Sequence, residues 1–171
     1  FPGKQHISAP AFSTAVLDRG VGENFIGEPS SVMIRRETCL DFGGFNPNLI
    51  HLCDLEYWTR VGSHEGMAYI PEPLNRFRVH PRSASAYNHA ARAVQVNHLD
   101  RLVLLHEYLF HPIYRNLRGL PGSRAELQAR LMQELNRVGG PAGGCKGGMT
   151  PGLFQEFLDQ YPALRAYAAR A

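Results

Sequence analysis

Long apolar runs are missing from this 171-residue chain. None approaches the roughly 20 consecutive apolar residues that cross a bilayer, and the opening lacks the charged-then-apolar pattern of a secretion signal. No membrane span is expected. Cysteine is scarce too: Cys39, Cys53 and Cys145, with no Cys-x-x-Cys among them. Three cannot all pair within one chain, so a disulfide framework is not expected and a reducing compartment fits better. Charge of one sign is also scarce. Eighteen basic against fifteen acidic residues leave a net charge of +3 with eight histidines neutral, too dilute for a dedicated nucleic-acid binder. The 17 glycines and 12 prolines are about a sixth of the chain, below the roughly 25–30% that marks disordered composition. There is no internal repeat and no phosphate-loop order. The Gly-rich stretch 139–148 lacks GxxxxGK[ST] and follows a helical pattern rather than a strand. The start, Phe1-Pro2-Gly3-Lys4, has no methionine, cap or periodicity, which leaves open a processed terminus or a cut through a longer protein.

What is present suits one domain, or one domain with an appendage: 44% of the residues are hydrophobic, enough for a core at this length. Residues 1–23 read as loop, punctuated by Pro2, Gly3, Pro10, Gly20 and Gly22. Ser31-Val32-Met33-Ile34 reads as a buried strand. Arg35 to Leu40 reads as a short helix stopped by Gly43-Gly44. Asp54 opens a helical stretch with Leu55, Trp58 and Val61 at helical spacing, ended by Gly66. Met67 to Ile70 and Asn75 to His80 are two further strand candidates. From about Ala86 the texture turns helical. A long helix runs from Asn88 to His111 with an apolar stripe through Val96, Leu99, Leu102, Val103, Leu105 and Leu109. A second starts at the capping-box pattern Ser123-Arg124-Ala125-Glu126 and carries Leu127, Leu131 and Leu135. A third starts at Thr150-Pro151, with Leu153, Phe154, Phe157, Leu158 and Tyr161 apolar. Short strands followed by helices suggest an α/β or α+β core and then a helical appendage.

Three segments carry residues suited to chemistry. In Cys53-Asp54-Leu55-Glu56-Tyr57-Trp58-Thr59-Arg60, Asp54 at a helix start is either a cap, worth about 0.5–2 kcal/mol, or a general base kept ionised by the helix N-terminus. In the 76–85 segment, Arg76, Arg78 and His80 share one face if the backbone is extended. That face is either a solvated edge kept charged against aggregation or a seat for a phosphate or diphosphate, with His80 also a candidate metal ligand. In Asn24-Phe25-Ile26-Gly27-Glu28-Pro29-Ser30-Ser31, Gly27 permits close backbone approach and the serines offer hydrogen bonds; a plain turn is the alternative. His51-Leu52-Cys53-Asp54 lacks a second ligand pair at zinc spacing. His98, His106 and His111 read as surface or interface residues rather than as a catalytic set.

The order Asn24-Phe25-Ile26-Gly27-x-Pro29-Ser30, Met33-Ile34-Arg35-Arg36, Gly43-Gly44-Phe45, Asp54-Leu55-Glu56-Tyr57-Trp58-x-Arg60, Tyr69-Ile70-Pro71-x-Pro73-Leu74 and Arg78-x-His80-x-x-Ser83-x-Ser85 resembles the C-terminal half of a family 2 glycosyltransferase of the GT-A fold. The resemblance covers about residues 24–85, roughly a third of the chain. It implies an α/β fold, a partial GT-A-like mixed sheet with flanking helices over residues 1–86, followed by an all-helical extension over 87–171. It implies transfer of a sugar, with inversion, from a nucleotide-diphosphate donor to an acceptor hydroxyl on a saccharide, a lipid-linked molecule or a protein. Asp54 matches the family's catalytic base, with Cys53 where a Glu is common. Gly27, Ser30, Ser31 and Glu56 fall on the acceptor side. Arg76, Arg78 and His80 fall on the donor diphosphate side, with His80 next to a divalent cation, Mg²⁺ or Mn²⁺. Arg35 and Arg36 are read as structural.

The family's nucleotide-binding half and its Asp-x-Asp metal motif are not found in this sequence. The 171 residues are therefore expected to be the acceptor-side portion of a soluble transferase, inactive alone, at a cytoplasmic location with peripheral contact at the inner membrane face left open. The alternative is a non-catalytic binding or assembly module with a vestigial transferase fold, its helices 88–161 mediating contacts, including a homo-oligomer. A hydrolase using Asp54 and His80 is a third option, without a nucleophile elbow or second carboxylate motif behind it.

Overall fold

The structure is a computed structural model that describes residues 6–76, 78, 80–139 and 150–170; for 84, 85 and 87–96 it describes the backbone alone. It begins with a short strand, β1 (His6–Ile7), and helix α1 (Ala9–Arg19). A 3-10 turn (Pro29–Ser31) leads to α2 (Arg36–Phe42), α3 (Cys53–Glu65) and strand β2 (Met67–Ala68). Then come α4 (Ala84–Phe110), a 3-10 turn (Pro112–Tyr114), α5 (Arg115–Arg118), α6 (Ser123–Gly139), α7 (Pro151–Gln160) and α8 (Pro162–Ala168).

The fold is mostly helical, which corrects the α/β expectation. Among the described residues the only sheet is the antiparallel pair β1–β2, with His6 opposite Ala68 and Ile7 opposite Met67. The expected GT-A-like mixed sheet is not formed. A strand needs a neighbour to satisfy its backbone groups, and only Met67–Ala68 finds one. Where a buried strand was expected at Ser31–Ile34, Pro29 opens a 3-10 turn. Ser31 donates its hydroxyl to the Glu28 carbonyl at 2.7 Å, and Met33 stands 98% exposed. Asn75–His80 contains Phe77 and Val79, which lie outside the described residues, and its remaining residues form no strand.

Residues 6–23, expected as loop, hold β1 and α1. Pro10, read as punctuation, lies in the first turn of α1, where a missing N–H costs nothing. Ser8 is the N-cap, accepting from the Ala11 N–H at 3.4 Å. Phe12, Ser13 and Val16 turn inward from α1. Phe12 lies against Gly62 of α3, where a Cβ would come within 2.5 Å of the ring, so glycine is required for the two helices to meet.

The later helices follow their sequence patterns with shifted ends. α4 starts at Ala84 rather than Asn88, because Ser83 caps it from the Ala86 N–H at 3.1 Å. It stops before Pro112. α6 starts at Ser123, but the capping box does not form as read: the Ser123 hydroxyl donates to the carbonyls of Arg118 (2.8 Å) and Leu120 (2.7 Å), closing the preceding turn. Glu126 pairs with Arg130 instead. The third expected helix is cut in two at Tyr161 by Pro162. Leu102, Leu104 and Leu105 of α4, Leu127, Leu131 and Leu135 of α6, and Leu158 and Leu164 of the last two helices all belong to one buried cluster, with α4 packed against α6. Each such side chain contributes about 1.5–3 kcal/mol by leaving water. The same cluster takes in Ile7, Phe12, Val16, Leu49, Leu52 and Leu55, so residues on both sides of position 86 share one core. His98, read as a surface or interface residue, is half-buried between helices and meets Glu134 of α6 at 2.5 Å.

Candidate active site around Asp54

Helix α3 presents three faces to three sets of partners. Leu55 and Thr59 point into the core, where Tyr108 donates to the Thr59 hydroxyl at 3.0 Å and Thr59 donates back to the Leu55 carbonyl at 2.8 Å. Glu56 and Arg60 face the loop after α2 and the turn after α4. Asp54 and Trp58, one helical turn apart, face the loop at 24–27.

That loop is shaped by Asn24. Its Oδ1 accepts from the N–H groups of Ile26 (3.1 Å) and Gly27 (3.0 Å), an Asx turn. Its Nδ2 donates to the Gly27 carbonyl at 3.1 Å and to Asp54 Oδ2 at 2.9 Å. Trp58 Nε1 donates to the same Gly27 carbonyl at 3.0 Å. Gly27 has φ +122°, a conformation that disfavours a side chain, and a Cβ there would meet the Ser31 hydroxyl at 2.6 Å. The other Asp54 oxygen accepts from the Leu55 N–H at 2.7 Å. Asp54 is half-buried in the first turn of α3, where the helix dipole favours a carboxylate. The cap position itself belongs to Leu52. Beside Asp54, burial pushes the Cys53 thiol up, and the Asp54 charge adds to that.

The structure thus brings Gly27, Ser31 and Asp54 into one neighbourhood. Ser30 is exposed on the turn next to Ser31. Glu56 turns away from Asp54 and is 2% exposed. One of its oxygens accepts from the Tyr114 hydroxyl, and the other pairs with Arg60 at 3.0 Å. Burial raises the Glu56 carboxyl above its ordinary range, with Tyr114 and Arg60 opposing that rise. Arg60 also donates to the carbonyls of Phe42 (2.6 Å) and Gly44 (2.7 Å) and stacks on the Tyr57 ring at 4.9 Å. It thereby fixes the Gly43-Gly44-Phe45 loop against α3, with Phe45 packed on Tyr57 at 5.0 Å between centroids. Arg35 pairs with Glu65 at 3.2 Å in an exposed bridge.

Arg76, Arg78 and His80 are exposed on the segment leading into α4, and none belongs to the hydrogen-bond set around Asp54. Among the described residues no group of three or more His, Cys, Asp or Glu side chains is arranged to hold a metal ion. His80 alone does not amount to a Mg²⁺ or Mn²⁺ site, because hard cations take six or more oxygen donors.

Sequence reasoning missed the roles of Asn24 and Tyr114. Asn24 stood in the quoted motif, and its spacing to Gly27 is an Asx-turn signal. Tyr114 carries no such signal; its bond to Glu56 spans 58 positions.

No family model matches this sequence, and no solved structure matches it. The chain is similar to the Uncharacterized protein MT1568 of Mycobacterium tuberculosis (strain CDC 1551 / Oshkosh), 31% identical over 107 residues. The match covers 63% of this chain and 33% of that protein, so the chain spans about a third of the length of the curated relative it matches.

Proposed function

We propose that this chain is the acceptor-side portion of an inverting, family 2-like glycosyltransferase in which Asp54 is the general base. What most supports the reading is the hydrogen bond from Asn24 to Asp54 Oδ2 at 2.9 Å, which joins two segments that the resemblance assigns to one acceptor site. Asp54 takes the proton of the acceptor hydroxyl as its oxygen attacks the anomeric carbon of the donor. The bond from that carbon to the diphosphate breaks, and its electron pair leaves with the diphosphate. Gly27, Ser30 and Ser31 line the acceptor approach. Arg76, Arg78 and His80 offer positive charge to the departing diphosphate. Glu56, occupied by Tyr114 and Arg60, supports α3 from behind.

The test is Asp54→Asn in a chain that also carries a nucleotide-binding Asp-x-Asp half. Turnover falls by about 10²–10⁴-fold while donor binding, read by calorimetry, is retained. An active Asn variant removes Asp54 from the base role, and a wild-type chain inert toward a panel of nucleotide sugars sinks the transferase reading. The 171 residues alone are expected to show little transfer.

One observation favours a second reading, a binding or assembly module without catalysis. Met33, Leu40, Ile70 and Leu74 are all more than half exposed. Self-association by analytical ultracentrifugation, together with no heat of nucleotide-diphosphate binding in Mn²⁺, supports that reading over the first.

A further inference from the structure

Three consecutive backbone amides just ahead of α3 converge on one carboxylate from α4. Asp100 Oδ2 accepts from Ile50 (3.1 Å), His51 (2.6 Å) and Leu52 (2.9 Å), and its Oδ1 accepts from Ile50 at 3.2 Å. Asp100 is 2% exposed. Buried carboxylates are expensive unless charge-assisted hydrogen bonds compensate them, and successive amides form a natural anion cradle. Leu52 is the N-cap of α3, so Asp100, from 48 positions away, holds the amides of the approach to the helix rather than those of its first turn. Leu49 and Leu52 are buried on either side of this loop.

We infer that Asp100 is a positioning residue for Asp54. Asp54 lies two residues beyond Leu52, in the first turn of α3, whose approach these bonds anchor. Its 2.9 Å bond to Asn24 depends on where that turn begins. α4 is held by Leu102, Leu104 and Leu105 in the main core, so the carboxylate is a fixed point. The helical extension therefore sets the placement of the candidate base. As a role in catalysis, this rests on the transferase reading; as a structural coupling, it does not.

Sequence carried a faint trace of it. Asp100 shares a helix face with the buried Val103 and Leu104, and an acid on an apolar face needs a partner.

The experiment compares Asp100→Asn, Asp100→Glu and Val103→Ala in the 171-residue chain by ¹⁵N spectroscopy and amide hydrogen exchange. Val103→Ala is the control for a general loss of stability in α4. In Asp100→Asn, exchange at Ile50, His51 and Leu52 rises about tenfold or more, and the Asn24 side-chain and Leu55 amide signals move. In Val103→Ala they stay in place. If Asp100→Asn fails to fold, Asp100→Glu decides by the same signals, because it keeps the charge and displaces it by one methylene. Unmoved Asn24 and Leu55 signals, or amides at 50–52 as protected as in wild type, overturn the inference. In a transfer-competent chain, Asp100→Asn lowers kcat about tenfold with donor KM unchanged; an unchanged kcat overturns the catalytic role. Lack of transferase activity in the wild-type chain that also carries the Asp-x-Asp half sinks the transferase reading alone, since the exchange and amide signals report the coupling without turnover.

Discussion

The segment from Asn24 to Leu74 and the helices from α4 onward solve the burial problem differently. Among the described residues, seven of the eight large apolar side chains left exposed lie between Met33 and Leu74; the other is Leu153 of α7. In the later region, leucines at helical spacing on α4 and α6 belong to one buried cluster and reach near-zero exposure. The earlier region is held by polar bonds with few alternatives: Asn24 to Asp54, Trp58 to Gly27, and Arg60 to Glu56, Phe42 and Gly44. The contrast shows that the part carrying the candidate chemistry is fixed by directional bonds, while the part with the larger apolar core holds the frame.

The strongest way to break that contrast is inside the frame. Leu131→Ala removes a fully buried side chain between α4 and α6, and about 2–5 kcal/mol of stability should disappear in urea unfolding. An equal loss from Met33→Ala, in the exposed region, would erase the distinction.

Gly62→Ala comes next. The added Cβ would meet the Phe12 ring at 2.5 Å, and overpacking there is expected to cost about 1–3 kcal/mol. The double variant with Phe12→Leu should recover part of that loss, since the clash is with the aromatic ring.

A subtler probe uses pH. Burial raises the Glu56 carboxyl in the folded state, so the folded chain keeps that proton to higher pH than the unfolded chain. Stability from this group therefore falls as pH rises from the ordinary carboxylate value through the raised one. The stability of wild type relative to Glu56→Gln should decline across that window and be flat above it. A constant difference would mean that Tyr114 and Arg60 offset burial, and one that rises with pH that they outweigh it.

The smallest effect is expected at Leu74→Ser. Leu74 is 74% exposed, so thermal unfolding should place the change within about 0.5 kcal/mol. A larger loss would mean that this surface is covered.

Several features were legible without coordinates. The Leu127, Leu131 and Leu135 spacing defined the buried face of α6, and Gly66 marked the end of α3. Gly27 and Asp54 carry their chemical interest in their residue types and local pattern, whereas Asn24, in the same motif as Gly27, acquires its role only through its bond to Asp54. The strands were less legible because Ser31–Ile34 reads as apolar and short whether or not a neighbour exists to pair with it, and pairing is a non-local property. α1 was hidden behind Pro10, whose meaning reverses between the middle of a helix and its first turn.

By itself, then, the sequence determined which residues prefer helix, where the apolar stripes run and which side chains are suited to acid–base or anion chemistry. These properties follow from spacing and side-chain type. Only the tertiary structure decided that Asp100 holds the amides leading into α3, that Glu56 faces Tyr114 rather than Asp54, and that one core spans the chain from Ile7 to Leu164. Those outcomes depend on which distant groups are brought within hydrogen-bond or contact distance, and no local pattern encodes a partner some 50 positions away.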